Sequence, residues 1–336
     1  MRIDEVLLLH KVSSVSWVTL IVAKNMSICS STAGIIRLAF PGGDILDPVI
    51  FSFQLGSLTL TLRWYGVLVM FGVAVGAWLA EQEVKRRGEN GEHIWNAMIF
   101  LLPAGILGGR LWYVVNAIVG GSPYYLDYPA KILAVWEGGL HFFGGLLFGA
   151  ITLYFYARHY KLDLWLFLDA VAPMTMIGQA LARPANFINQ ELYGPPTTLP
   201  WGISIDAMHR LPMYQDLSQF PVETTRFHPV FAYEMILNLL FAGTLLWAAR
   251  RWPERFKPGA VFAWWLILAG SARTFIEFFR PDQPILFPGT FVTTSMFFSV
   301  LMGFAGLMLL MARNGTIRLP WPKFPDRYVI SGKKIG

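Results

Sequence analysis

Apolar positions in this chain come in long unbroken runs rather than in short alternations. Stretches of about 20 residues, enough for a helix to cross the hydrocarbon core of a bilayer, fall at roughly 61–80, 97–117, 137–157, 163–182, 229–249, 259–279 and 290–312. The pattern predicts an all-α polytopic membrane protein with seven transmembrane helices. Polar connections between the runs are short except at 184–228, which predicts a small external head segment. The organisation read from this pattern is an N-terminal extension of unknown role at 1–40, a transmembrane domain carrying the site at 41–316, and a cytoplasmic tail at 317–336. Within the extension, "SSVSWVTLIVA" (13–23) is too short for a span and is followed by no cleavage site. An eighth segment, a surface-lying stretch, or a true start at Met26 all fit, and the last is preferred.

Composition agrees with the pattern. Of 336 residues, 55% are hydrophobic and only 14% charged, values of a membrane protein rather than a soluble domain. A single cysteine, Cys29, excludes a disulfide scaffold and a cysteine-built zinc site, and no metal is expected. The net charge of +6 raises the question of nucleic acid, but the basic residues sit in loops between apolar runs. They are topology signals. Lys85, Arg86 and Arg87 follow the first run; Arg158 and Lys161 follow the third. Arg250, Arg251, Arg255 and Lys257 follow the fifth, and Arg313, Arg318, Lys323, Arg327, Lys333 and Lys334 follow the seventh. Those fifteen face four on the opposite side, Lys131, Arg210, Arg226 and Arg280. By the positive-inside bias the first run enters from outside and the C-terminus is cytoplasmic. Glycine pairs at 108–109, 138–139 and 144–145 have no strand context for a nucleotide loop and read as close helix packing by small residues.

An ionisable group inside an apolar span is costly and needs a partner or a role. With this orientation, the unusual polar residues collect at the outer ends of six runs. They are Tyr65; Arg110 and Tyr113; Trp136, Glu137 and His141; Arg183; His228, Tyr233 and Glu234; and Arg273, Glu277 and Arg280. One depth across six runs reads as a single site open to the outer leaflet. Several members carry plainer readings: Trp64, Trp136 and Tyr113 as an interfacial belt, Arg280 as a snorkelling side chain, and His228 before Pro229 as a helix-entry hydrogen bonder. Arg273 and Glu277, four apart on one helical face, form a pair. Arg183 is then a second arginine without a partner, and its charge asks for an anion.

The stretch "GQALARPANFINQELYG" (178–194) meets the same demand. Pro184 removes a backbone donor and disfavours helical geometry at Arg183, so the helix is expected to end there. Asn186, Asn189, Gln190 and Glu191 then satisfy irregular backbone lining a cavity. A planar guanidinium suits a phosphate diester better than an ammonium does. From the residues alone, this is an outer-leaflet site for an anionic lipid headgroup.

The stretch "RPANFINQELYG" also resembles the pattern of the bacterial prolipoprotein diacylglyceryl transferases, Gly-Asn-Phe-x-Asn-x-Glu-x-x-Gly preceded by an arginine. "LDPVIFSFQLGSLTLTLRWYG", "GGRLWYVV", "WEGGL", "RFHPVFAYE" and "RTFIEFFRPD" follow the family's order, and the resemblance covers about residues 45–312. It implies transfer of the diacylglyceryl group of phosphatidylglycerol to the lipobox cysteine of prolipoprotein signal peptides in the bacterial plasma membrane, with glycerol phosphate released and no cofactor. By match to the motifs, Arg183 and Arg273 hold the lipid phosphate and Asn186, Asn189 and Glu191 shape the pocket, with Gly194 closing the turn. Tyr65, Glu234 and Glu277 belong to the same site, with Arg110, Arg280 and His141 as further candidates. Phe143 stands where members carry a histidine, with His141 two positions earlier, and Ala269 replaces a tyrosine one turn before Arg273. Both changes leave the proton acceptor unassigned. A lipid or solute transporter is the competing reading, disfavoured because a transport path needs polar groups at the midplane as well. An intramembrane serine protease lacks its Ser–His pair.

Overall fold

The computed structural model describes residues 36–39, 48–55, 58–135, 138–286, 289–318 and 324–330. The expectations placed on residues 13–23, Met26, Cys29, Trp136 and Glu137 lie outside the described residues. Three strands precede the helices: β1 (Ile36–Ala39), β2 (Val49–Leu55) and β3 (Leu58–Arg63), in the order β1-β2-β3. β1 and β2 are antiparallel, with Ile36 opposite Leu55 and Ala39 opposite Ser52. No strand is expected here from the sequence, and the first apolar run, 61–80, takes in the end of β3. "LTLTLR" alternates with period two, a strand signature, and the helix begins only at Trp64. The strands as far as Leu62 belong to one compact unit, and Pro48 with the chain from Arg63 onward to a second.

The helical unit contains α1 (Trp64–Arg86), α2 (Glu92–Val119), α3 (Phe142–His159), α4 (Leu164–Ala182), α5 (Val230–Arg251), α6 (Ala260–Glu277) and α7 (Thr294–Arg313). All seven apolar runs thus fold as helices. Six are long and apolar enough to cross a membrane; α3, whose 18 residues end in Arg158 and His159, is not one of the six.

Helix α4 organises the unit. Asp163 caps its start by accepting from the Trp165 and Leu166 amides at 2.9 and 3.3 Å. Half of its apolar window is buried, the largest share among the six, and it packs against α1, α5 and α6. Leu166, Phe167, Ala170 and Met174 meet Ala77, Ala80 and Val84 of α1 in one core cluster. Among lipid tails, apolar helices gain little by hiding from solvent, so close approach by small residues holds them together. Gly108 of α2 and Gly144 of α3 face one another so closely that a Cβ on either would overlap the other's backbone. The packing expectation holds for this pair.

It fails for Gly138 and Gly139. Both have left-handed φ, 84° and 69°, which glycine adopts without strain. They shape a loop that starts α3 at Phe142, five residues after the start of the apolar run.

Residues 184–228 form a small segment with its own core of Tyr193, Ile205, Tyr214 and Phe227. The buried Arg210 guanidinium donates to the Ile205 and Phe220 carbonyls and lies 5.2 Å from the Phe227 ring centroid. Irregular backbone around a small core is held by such carbonyl-satisfying contacts.

Candidate functional site

Arg183 is the last residue before the short helix Pro184–Ile188 and sits at the end of α4. One terminal nitrogen pairs with Glu234 of α5, and the other donates to Asn186 Oδ1 at 3.3 Å. Asn186 passes its amide hydrogens to Glu191 Oε1 at 2.9 Å, and Asn189 Nδ2 reaches the same oxygen at 3.2 Å. Five residues expected at the site therefore form one hydrogen-bonded chain, Glu234–Arg183–Asn186–Glu191–Asn189. The unpaired state expected for Arg183 is corrected by the Glu234 contact, which crosses from α5. What Arg183 retains is the second N–H of each terminal nitrogen and its Nε, which is buried and has no partner among the described residues.

The sharp turn after the short helix needs Gln190 and Leu192 in left-handed geometry, with φ of 51° and 57°. Gln190 is held there by a reciprocal pair of bonds with Asp206, at 2.6 and 2.7 Å. Gly194 then lies where a Cβ would come within 2.8 Å of the Phe279 carbonyl and of Val230 Cγ2. The residue has to be glycine for the segment to lie against α5 and the end of α6.

Arg273 and Glu277 pair on α6 as their spacing predicts, at 2.9 Å. The carboxylate is fully buried and accepts from Thr293 Oγ1, while the guanidinium stays 28% exposed with one nitrogen engaged. Thr293 was not anticipated. It caps α7 by accepting from the Met296 amide at 3.1 Å, and a threonine preceding an apolar run is the signal that identifies it. Arg280 is bound bidentately by Asp282 at 2.9 Å to each oxygen, which supplies a fixed partner in place of the snorkelling alternative. Burial pushes the Asp282 carboxyl up, but Arg280 outweighs it and leaves the group below the usual carboxylate range. The charges of Glu277, Glu234, Arg280 and Arg183 all act on Arg273, so the three arginines form one cluster. Each has a carboxylate partner. The cluster is balanced rather than positively charged.

Arg110 has a different setting. It is 3% exposed, and its guanidinium donates to the carbonyls of Lys131 (2.6 Å), Ile132 (3.0 Å) and Gly138 (2.6 Å). Tyr113 and Tyr125 flank it at 5.7 and 5.3 Å. This arginine clamps the loop before α3. His141 ends that loop, with its amide donating to the Gly109 carbonyl at 2.9 Å. Tyr65 stands in the first turn of α1 and is 45% exposed.

A relay near Glu234 was only half legible. Trp201 Nε1 lies 2.8 Å from Tyr233 Oη, which lies 2.9 Å from His228 Nδ1. An indole N–H only donates, so the phenol oxygen receives it, and the same hydroxyl meets His228 Nδ1 as donor or acceptor according to the ring's tautomer. Burial holds the His228 pKa below its ordinary value, which favours the neutral ring. At the entry to α5 the His228 carbonyl accepts from the Val230 amide at 2.9 Å, while its other backbone bonds, to Gly194 and Pro195, pin the preceding segment.

A cleft of about 380 Å³ opens beside the chain of amides, lined by residues 189–193 together with His209, Leu211 and Asp282. Among the described residues no cluster of three His, Cys, Asp or Glu is placed to hold a metal.

Comparison with known proteins bears on what this cluster serves. Residues 48–312 match the model of the family described as prolipoprotein diacylglyceryl transferase. The phosphatidylglycerol–prolipoprotein diacylglyceryl transferase of Chloroflexus aggregans is 37% identical over 244 residues, covering 70% of this chain and 78% of that protein. The enzyme of the same name from Symbiobacterium thermophilum is 36% identical over 265 residues, covering 79% and 92%. That from Lactobacillus acidophilus is 31% identical over 277 residues, covering 82% and 93%. The match spans all seven helices and every arginine and carboxylate of the cluster, and this multi-pass membrane protein belongs to the prolipoprotein diacylglyceryl transferase family.

Proposed function

We propose that this chain transfers the diacylglyceryl group of phosphatidylglycerol to the thiol of a lipobox cysteine in prolipoproteins, at the cluster built on Arg183 and Arg273. The observation that carries the reading is the state of those two guanidinium groups. Each is fixed by a carboxylate through a terminal nitrogen and keeps N–H donors uncommitted. Carboxylates hold the forks in place, and the spare donors serve a phosphate that spreads charge over several oxygens. The transporter alternative loses its ground with family membership.

In the reaction the substrate thiol gives up its proton, and its sulfur attacks the glyceryl carbon bonded to the phosphate ester oxygen. A C–S bond forms, the C–O bond breaks, and glycerol phosphate leaves with the electron pair. Developing charge on the leaving phosphate is met by preorganised guanidinium donors, the electrostatic contribution that dominates many active sites. A few per cent of a free thiol is already ionised near neutrality, and neighbouring arginines raise that share. The chain's own Cys29 has no part in this.

The topology that fits is seven spans, with α3 as the third, in the bacterial plasma membrane. The segment 184–228 lies outside and the C-terminus is cytoplasmic, as the fifteen-to-four asymmetry of loop charge favours. Reporters fused after Arg158 or Arg251 are then cytoplasmic, and one inserted near Asp216 is external; an inverted pattern overturns the arrangement. Purified protein incubated with phosphatidylglycerol and a lipobox peptide yields a diacylglyceryl thioether detectable by mass spectrometry. Its absence with folded protein overturns the function.

A further inference from the structure

The end of the bundle opposite the arginine cluster is closed by the chain's own C-terminal segment. Asp169 of α4 is fully buried there. Its Oδ1 accepts from the Phe262 amide at 2.7 Å, and its Oδ2 from the Gly259 amide at 2.6 Å and the Tyr328 hydroxyl at 2.8 Å. Arg87, just beyond α1, lies 3.9 Å from the same carboxylate, beyond hydrogen-bond reach. The Tyr328 oxygen bridges the gap by accepting from Arg87. Residues around Tyr328 are tied down independently. The Val329 amide donates to Asp163 Oδ2 at 2.7 Å, Phe324 stacks on Trp165 at 4.9 Å, and Arg313 donates to the Pro325 carbonyl at 3.0 Å.

Helices α4 and α6 both start at this peg and both run to the site. Arg183 lies 14 residues beyond Asp169, and Arg273 lies 11 residues beyond Phe262, rises of about 21 and 16 Å. The two amides bound by Asp169 belong to the first turn of α6 and the residue before it. A buried carboxylate bound to fixed amides sets the axial offset of the two helices at this point. Along α6, which contains no proline, that offset is carried to Arg273, whereas α4 has Pro173 between Asp169 and Arg183 and makes the softer link.

We propose that Tyr328 is a positioning residue for the transfer reaction, setting the axial register of the two arginine-bearing helices through Asp169. The inference rests on the reading of Arg183 and Arg273 as the phosphate clamp. Removing the phenol leaves Arg87 and Asp169 each short of a partner in a dry site, which loosens the peg. A role in stability alone would change the unfolding midpoint and leave turnover of the folded enzyme untouched.

The test is a cycle of Tyr328→Phe, Arg273→Ala and the double variant, each assayed with phosphatidylglycerol and a lipobox peptide well below its own unfolding midpoint. Tyr328→Phe is expected to lower kcat about tenfold with KM for the lipid within about twofold, since alignment is lost and binding is not. In the Arg273→Ala background its effect is expected to shrink to about twofold or less, as for residues acting through one another. An unchanged kcat for Tyr328→Phe, or a full tenfold loss persisting without Arg273, overturns the inference while leaving the clamp standing. Near-normal activity of Arg273→Ala overturns the clamp, and the register role with it. Should Tyr328→Phe fail to accumulate, Phe324→Leu weakens the same strap and is expected to act in the same direction about twofold to threefold; a wild-type kcat there overturns the proposal equally.

Discussion

The two ends of the helical bundle are built from the same materials and finished differently. At the Asp169 end, Glu83 is 1% exposed and accepts from Arg86, Arg87 and Arg250 at 2.6–3.2 Å, while the C-terminal segment covers the Arg87–Asp169 gap. At the other end, Arg183, Arg273 and Arg280 pair with Glu234, Glu277 and Asp282, spare N–H groups remain, and a cleft lined in part by Asn189, Glu191 and Asp282 opens at the end of the amide chain. Paired charges mark both ends, so pairing does not identify a site. Nor does one unspent buried donor, since Arg313 Nε at the Asp169 end lacks a partner among the described residues just as Arg183 Nε does. What sets the other end apart is the gathering of three paired arginines whose charges act on one another, with Arg273 still 28% exposed; buried pairs elsewhere stabilise and specify the fold.

The comparison predicts opposite consequences for substitutions of similar chemistry. Arg183→Ala or Arg273→Ala is expected to lower turnover by at least about a hundredfold, the scale for losing a donor to developing charge, with Arg183→Lys recovering little because the fork is gone. Membrane levels close to the parent's are expected in each case. Near-normal turnover in either alanine variant would remove the functional half of the contrast. Glu83→Gln is expected to do the reverse, leaving kcat intact and lowering the unfolding midpoint by about 6–12 °C, as when one partner of a buried ion pair is withdrawn. Thermal melts in detergent alongside kcat measurements decide it, and an unchanged melt would show that the far network is not structural.

Two smaller effects sharpen the boundary between the ends. His141 is tied through its backbone to Gly109, beside the Arg110 clamp, so His141→Phe is expected to keep activity within about tenfold, short of the hundredfold usual for a general base. A variant nearly inactive at neutral pH that recovers in alkali would make His141 the base. For His228, burial depresses the folded-state pKa, and the unfolded chain therefore takes up the proton first on acidification. Its contribution to stability is complete above the unfolded value near 6.5 and is lost as pH falls below it. The unfolding midpoint is expected to drop slightly more between pH 7.5 and 5.5 for the parent than for His228→Gln; identical slopes would exclude this histidine as a source.

Much of the helical frame was legible because a bilayer imposes a minimum length on an apolar run, and few other structures meet it. Boundaries were less so. The run read at 137–157 hides Gly138 and Gly139, whose left-handed geometry serves Arg110, and no hydropathy window senses a turn made of apolar-neutral glycines. Only the end of β3 was absorbed into an apolar run, because β-branched and leucine residues count equally as grease; β1 and β2 lay ahead of that run and were assigned no element. At the site, the links inside 183–194 and between Arg273 and Glu277 were legible, being close in sequence. Glu234 was a candidate, but its pairing with Arg183 across 51 positions was not, and that pairing reversed the expected charge balance. Tyr328 lay in a stretch read as a plain cytoplasmic tail. Nothing in the spacing of a short polar segment announces where it folds back.

The chain of amides ending at Glu191 has one further property. A carboxylate only accepts, so Asn186 and Asn189 must both turn their NH₂ groups toward it, and Asn186 is left with its carbonyl facing Arg183. The guanidinium at the other terminus only donates and demands the same order at Asn186, so direction is written into the chain from both ends, as in a row of tiles that fits in a single order. A glutamine at 191 would fill the same volume and still accept from Asn186 through its carbonyl, because the arginine holds that amide in place. Only Asn189, which touches no arginine in the chain of amides, would gain the freedom to turn over.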